Sequence, residues 1–184
     1  MTNLDTKKGP VTIRPTREAD AEAYRELRLE ALRTVPTAFG SDVASAEARS
    51  LEQWQQQMRD GAGDGTTLSC VIEAAGKLVA MTVFQQETGT KLMHQANIYS
   101  VYLRLAWRGL GLFDRLVAAG VDWAASRDVR LLKLSVSANN TPAIRAYIRL
   151  GFQVYGLDPE AVLWEGHYYD ELLMYRRIDG ERVA

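Results

Sequence analysis

A single cysteine, Cys70, stands in the chain, so no internal disulfide can staple it and stability has to come from a packed core. Two histidines are present, and no His, Cys, Asp or Glu spacing suggests a metal. No apolar stretch approaches the roughly twenty residues of a membrane span, and the polar opening MTNLDTKKGP lacks the apolar heart of a signal peptide. Excess charge of one sign is missing too. Lys and Arg number 22 against 23 Asp and Glu, a formal net charge of −1. That balance excludes the broad basic footprint of a nucleic-acid binder but leaves room for a local basic pocket. These absences imply a cytoplasmic protein whose partners include no nucleic acid, membrane or metal; a homodimer is left open. What is present, 184 residues at 47% hydrophobic and 24% charged, is a chain of one-domain size with material for a real core.

Hydrophobic periodicity predicts the order β-α-α-β-β-β-α-β-α-β-β. Val11 to Pro15 alternates as a first strand. Tyr24, Leu27, Ala31, Leu32 and Val35 recur at helical spacing until Pro36 stops them, and Ser50 to Met58 reads as a second, more polar helix. Between these helices, PTAFGSDVASAEA reads as a surface loop that could line an acceptor site. Strands follow at Thr67 to Ala74, Leu78 to Gln86 and Met93 to Leu103, with turns at Gly76 and Gly89. Phe113, Leu116, Val117, Gly120, Val121 and Ala124 form a one-sided helical stripe, and Leu132, Leu134 and Val136 alternate with polar residues. A short helix then starts at Thr141 as cap with Pro142 behind it and ends at Gly151. Strands from Phe152 to Leu157 and from His167 to Ile178 close the chain. Residues 1–9 are expected to be a disordered tail, and residues 10–179 a single domain.

The stretch RGLGLFDRL, from Arg108 to Leu116, places two glycines between a strand and a helix. Unpaired amides at a helix start, together with the helix dipole, make an anion site, and glycine lets a diphosphate approach the backbone. A Walker loop would need GK[ST], and a Rossmann turn a third glycine where Asp114 stands. By itself the stretch is either a phosphate cradle or a glycine-softened helix start.

A second motif, NTPAIRAYIRLGF from Asn140 to Phe152, lies about thirty residues downstream. The two in this order resemble the GNAT superfamily of acyl-CoA-dependent N-acetyltransferases, with its [Arg/Gln]-x-x-Gly-x-[Gly/Ala] helix opening and later Asn-x-x-Ala…Tyr…Gly-Phe segment. The resemblance runs from about Val11 to Ile178. It implies a mixed, mostly antiparallel α/β (α+β) sheet of about seven strands flanked by four helices, with the fourth and fifth strands splayed. It implies acetyl-CoA as cosubstrate and an amine acceptor, a small molecule or a protein amino group. Val101, Tyr102 and Leu103 would offer backbone groups to the pantetheine arm. The turn Arg108, Gly109, Leu110, Gly111, Leu112 and Phe113 would hold the pyrophosphate. Asn140 would sit beside the pantetheine, and Tyr147 would approach the sulfur as the acid that protonates the leaving thiolate. Phe113 departs from the Gly or Ala the family prefers there; its amide survives, and its ring is expected in the core.

The acceptor side is less legible. No acidic residue stands between Lys91 and Leu103, so His94 is the one conventional base on the strand, with a structural role or solvent-relayed deprotonation as its alternatives. Asp170 and Glu171, near His167, either recognise a cationic amine or form a solvated strand end. Trp54 and Trp164 either wall an acceptor pocket or pack, and Cys70 reads as a buried small hydrophobe. The expected function is acetyl transfer from acetyl-CoA to a primary amine by direct attack in a ternary complex, because nothing resembles an activated nucleophile. The alternative is a CoA-binding sensor or interaction domain with little catalysis.

Overall fold

The computed structural model describes residues 1–178; residue 179, the expected end of the domain, lies outside them. Eight strands form one sheet: β1 (Thr2–Thr6), β2 (Gly9–Pro15), β3 (Thr67–Ala74), β4 (Lys77–Gln86), β5 (Gln95–Leu103), β6 (Leu131–Ser137), β7 (Gln153–Trp164) and β8 (His167–Arg177). Their spatial order is β1-β2-β3-β4-β5-β6-β8-β7, antiparallel throughout except where β5 meets β6. This is the mixed, mostly antiparallel sheet expected, with one strand more.

The extra strand corrects the reading of residues 1–9 as a disordered tail. TNLDT has too few apolar residues to show alternation, yet it pairs with β2 from Thr2↔Ile13 to Thr6↔Gly9. The Thr6 hydroxyl closes the turn by donating to the Gly9 carbonyl at 2.8 Å, and Leu4 packs against the core. At the other edge, β7 runs on to Trp164, past the expected end at Leu157. Pro159 hides this from sequence; it is tolerated because β7 is an edge strand with a register shift between Asp158 and Val162.

Among the described residues five α-helices flank the sheet: α1 (Ala21–Thr34), α2 (Val43–Glu47), α3 (Leu51–Asp60), α4 (Leu112–Ala125) and α5 (Thr141–Arg149). The fifth is α2, a five-residue turn inside the segment expected to be loop. It is too short to display a period, but Asp42 caps it by accepting from the Ser45 amide at 2.7 Å. Ser50 and Gln53 cap α3 reciprocally.

Both faces of the sheet are covered. In β3, Leu68, Cys70, Ile72 and Ala74 face one core with α4 and α5, whereas Val71 faces a second core with α1 and α3. The strand therefore reads as a nearly continuous apolar run. Each fully buried Leu, Ile, Met or Phe in these cores contributes about 1.5–3 kcal/mol relative to exposure.

Helix α4 lies so close to β4 that a Cβ added at Gly120 would overlap the Phe84 ring. Gly120→Ala is therefore expected to destabilise by about 1–3 kcal/mol in urea unfolding, despite the gain in helix propensity. Gly65→Ala, facing open space, should leave the midpoint unchanged. Equal midpoints for the two variants would contradict the close approach.

Candidate active site

Strands β5 and β6 pair in parallel over only three positions, Gln95↔Leu131, Ala96↔Leu132 and Asn97↔Lys133. Beyond them β6 continues against β8 and β5 against β4, so a gap opens between β5 and β6. The divergence coincides with a bulge. Met81 pairs with Tyr102 and Val83 with Tyr99, so Thr82 of β4 faces both Ser100 and Val101. Ser100 takes up the extra residue at φ +53°, a left-handed conformation uncommon for serine. Past the bulge, the Arg104 amide turns to β4 and donates to the Val79 carbonyl. Strand alternation then turns the N–H and C=O groups of Val101 and Leu103 toward the gap. The side chain of Tyr102 points the other way, into the core under α1.

Where β5 ends, a salt bridge fixes the exit of the chain. Arg104 pairs with Glu30 of α1 at 2.7 Å, and the Tyr102 hydroxyl donates to the same carboxylate at 3.0 Å. Partial burial opposes ionisation of Glu30, but the hydrogen bonds from Arg104 and Tyr102 outweigh it and hold the carboxyl below its usual range. The turn that follows contains Gly109 at φ +75° and Gly111 at φ +72°, with open space at both Cβ positions. Gly111 is the N-cap of α4 and supplies no side chain, so the first amides of the helix are uncapped. The Arg108 side chain is exposed and donates through Nε to the Leu103 carbonyl at 3.1 Å. Asp114, an acid in this first turn, is matched by Arg149 of α5 at 2.6 Å. The positive end of α4 therefore keeps its field, and the two helices are tied together.

Asn140, rather than Thr141, caps α5; its Oδ1 accepts from the Ala143 amide at 3.3 Å, and Pro142 is the second helical residue. The Asn140 amide donates to the Ser137 carbonyl at 2.9 Å, which joins the cap to the end of β6. Tyr147 follows, 5% exposed, with its ring edge-on to Phe152 at 5.5 Å and to Phe113 at 5.3 Å. Phe113 is accordingly not an ordinary core residue. It is half-buried at the rim, where its ring buttresses Tyr147. Burial alone pushes the Tyr147 phenol well above its usual value of about 10. The structure thus brings together the β5 edge, the Arg108–Phe113 turn, Asn140 and Tyr147.

It does not bring His94 to them. His94 precedes β5, at the end where β5 and β6 are still paired, and its ring lies 3.1 Å from the side-chain Nε2 of Gln95. Six residues of extended chain separate it from Ser100, roughly 20 Å. Asp170 accepts from the Glu160 amide at 2.9 Å and so holds the irregular part of β7. Trp54 is 2% exposed and packs against Tyr24, whereas Trp164 lines a cavity of about 190 Å³ with Phe39, Ser41 and Asp42. A larger cavity of about 450 Å³ lies between α3 and the sheet, lined by Arg49, Gln53, Gln57, Ser69, Val83 and Gln85 among others. Burial pushes the Cys70 thiol up to about 12, which makes it inert as a nucleophile.

The sequence profile of the acetyltransferase (GNAT) family matches residues 22–152. The chain belongs to the GNAT acetyltransferase family. Among its relatives, the L-amino acid N-acetyltransferase AaaT of Escherichia coli (strain K12) is 22% identical over 167 residues, 90% of this chain and 97% of that protein. Mycothiol acetyltransferase of Corynebacterium glutamicum (strain R) is 47% identical over 58 residues, 32% of this chain and 20% of that enzyme. The match to this second relative therefore spans about a fifth of its length. Among solved structures, yncA of Salmonella typhimurium with its cofactor acetyl-CoA aligns at a TM-score of 0.78 and 21% identity, over 95% of this chain and 97% of that one. At that identity the likeness is one of fold.

Two features of this region escape a reading of the sequence, and a third was missed. The Ser100 bulge has no compositional signal, because serine gives no warning of a positive φ. The Asp114–Arg149 pair joins residues 35 apart. Asn140 as cap was legible in principle, since Asn outranks Thr at that position. Tyr147→Phe keeps the aromatic packing and should lower kcat about 100-fold, uniformly between about pH 7 and 9, with acetyl-CoA affinity unchanged. Gly111→Val forces a branched side chain into the left-handed region and should raise the acetyl-CoA Kd about tenfold or more. Steady-state kinetics and calorimetry separate the two effects; equal small effects on both quantities would contradict the assignment.

Proposed function

We propose that this protein transfers an acetyl group from acetyl-CoA to a primary amine by direct attack in a ternary complex. The observation that carries the reading is the gap between β5 and β6, which opens beside an uncapped helix start. The N–H and C=O groups of Val101 and Leu103 meet the pantetheine arm, with Tyr102 fixing the strand between them. The amides after Gly111, together with Gly109, Leu110, Leu112 and Phe113, hold the pyrophosphate, and Arg108 exchanges its bond to Leu103 for phosphate oxygens. Asn140 anchors the end of β6 on the far side of the gap.

A backbone N–H at the bulge stabilises the oxyanion as the amine nitrogen bonds to the thioester carbon. The C–S bond breaks, and Tyr147 donates its phenolic proton to the departing thiolate. The acceptor nitrogen loses its proton to solvent, which also restores the phenol. Burial of Tyr147 favours the protonated, donating form, but it makes the transfer steeper than two free model groups would suggest. Desolvation of the thiolate in the same cleft raises its basicity and offsets that cost. His94 has no part in this chemistry, because it stands at the wrong end of β5. The E. coli relative that covers 90% of the chain is named for L-amino acids, which favours a small-molecule amine over a protein amino group.

The test is release of free CoA, followed with DTNB, across a panel of primary amines, beside calorimetric titration with acetyl-CoA. Turnover of at least one amine is expected, with loss of the thiol signal in Tyr147→Phe. Tight acetyl-CoA binding without CoA release from any acceptor would contradict the transferase reading and favour a CoA-sensing domain.

A further inference from the structure

Five side chains on the α1–α3 side form a cluster that the acetyl-transfer machinery does not use. Tyr24 and Arg28 lie one turn apart on α1, on the same helix face. The Arg28 guanidinium sits 4.3 Å over the Phe39 ring, and the Arg49 guanidinium 4.1 Å over the Trp54 ring. The Trp54 and Tyr24 rings are 6.1 Å apart, which closes the group. The two guanidinium charges act on each other and on the Tyr24 phenol. Neither arginine pairs with a carboxylate among the described residues, although Arg14, Arg33, Arg59, Arg104 and Arg149 all do.

Three buried donors in this cluster have no hydrogen-bond partner among the described residues: the Tyr24 hydroxyl, the Trp54 indole N–H and the Arg28 Nη1 group. Tyr24 and Trp54 are 1% and 2% exposed, so these are desolvated groups rather than surface ones. Leaving a buried donor unsatisfied costs about 1–3 kcal/mol, and more for a charged one. Three in one place, beside two like charges, form a concentration of donors with no acceptor to meet them. Two of the Arg49 nitrogens are already engaged, Nη1 by the Gln57 side chain and Nη2 by the Gln53 carbonyl, as is Arg28 Nη2 by Ser41. The buried donors left over are one charged group, Arg28 Nη1, and two neutral ones, the Tyr24 hydroxyl and the Trp54 N–H. That complement suits a monoanion with two oxygens better than a dianionic phosphate.

The cluster stands between the two cavities. Arg49 lines the larger one, while Phe39 and Ser41, which hold Arg28, line the smaller. The larger cavity extends to Val83, whose partner across the sheet is Tyr99, the residue before the bulge. A molecule that touches Arg49 has this cavity to extend along, toward Val83 and the neighbouring strand that carries the bulge.

We propose that Arg28, Arg49, Tyr24 and Trp54 form a carboxylate-binding subsite, and that the acceptor is an amino acid whose carboxylate docks there while its amino group faces the β5 bulge. This rests on the acetyltransferase reading above and narrows it to one class of acceptor. Phe39 and the Trp54 ring wall the arginine stems, so the carboxylate meets charge that is already partly desolvated and held in place.

The decisive comparison needs no variant. With CoA saturating, calorimetry measures binding of the twenty L-amino acids, of the carboxamide of each one that binds, and of O-phosphoethanolamine; CoA release from acetyl-CoA is followed in parallel. At least one free amino acid should bind and be acetylated, with its carboxamide weaker by tenfold or more. Arg28→Met and Arg49→Gln should each cut kcat/KM for that amino acid at least tenfold, leave acetyl-CoA affinity unchanged, and collapse the preference over the carboxamide. Equal use of acid and amide overturns the subsite, as does binding of O-phosphoethanolamine but no amino acid. Binding of none of the twenty, with CoA still bound, also overturns it and leaves the transferase reading standing. Absence of CoA binding itself would defeat that earlier reading instead.

Discussion

Two neighbouring strands that stop hydrogen-bonding part-way along their length set the terms for everything else in this molecule. From Asn97 and Lys133 onward, β5 and β6 leave each other, and the groups of Val101 and Leu103 that face the gap have no strand to meet. An open edge inside a sheet costs free energy unless something occupies it. In this fold the edge is preserved on purpose. The Ser100 bulge turns β5 away, β8 takes the free side of β6, and Glu30 clamps the exit of β5 through Arg104 and Tyr102.

The helix start beside the gap follows the same logic of unmet donors. Gly111 caps α4 without a side chain, so its first amides stay available, and Asp114 would weaken the local positive field were Arg149 not beside it. The pairing of Asp114 with Arg149 also fixes α5, which carries Tyr147. Phe113 completes the link, since its ring rests edge-on against that tyrosine. A residue that looks out of place in a glycine turn thus holds a side chain from the next motif. Unmet donors recur on the opposite side of the sheet, around Arg28 and Trp54. A shared shortage of acceptors connects the two halves of the proposed ternary complex.

Much of this was legible from the residues. The paired turns at Gly76 and Gly89, the α4 stripe and the two motifs fix the order of the central elements and the family. Legibility failed where geometry depends on neighbours distant in sequence. TNLDT forms a strand only because β2 offers it an edge, and Pro159 is tolerated in β7 only because that strand lies at the border of the sheet. The segment around Val43 is too short for periodicity. His94 looked suitable because it is the one histidine near β5, but position along a strand, not membership of it, decides which groups meet. Nothing in the sequence singles out Arg28 and Arg49, because their aromatic partners Phe39 and Trp54 meet them only in the fold.

Amide hydrogen exchange, resolved by residue with and without acetyl-CoA, tests the central claim most directly. The account predicts that acetyl-CoA slows exchange at Val101 and Leu103 and at the first amides of α4, Leu112 and Phe113, while Val71 in the closed part of the sheet keeps its rate. Saturating acetyl-CoA that leaves these four amides unchanged, or protects a different edge, would contradict it.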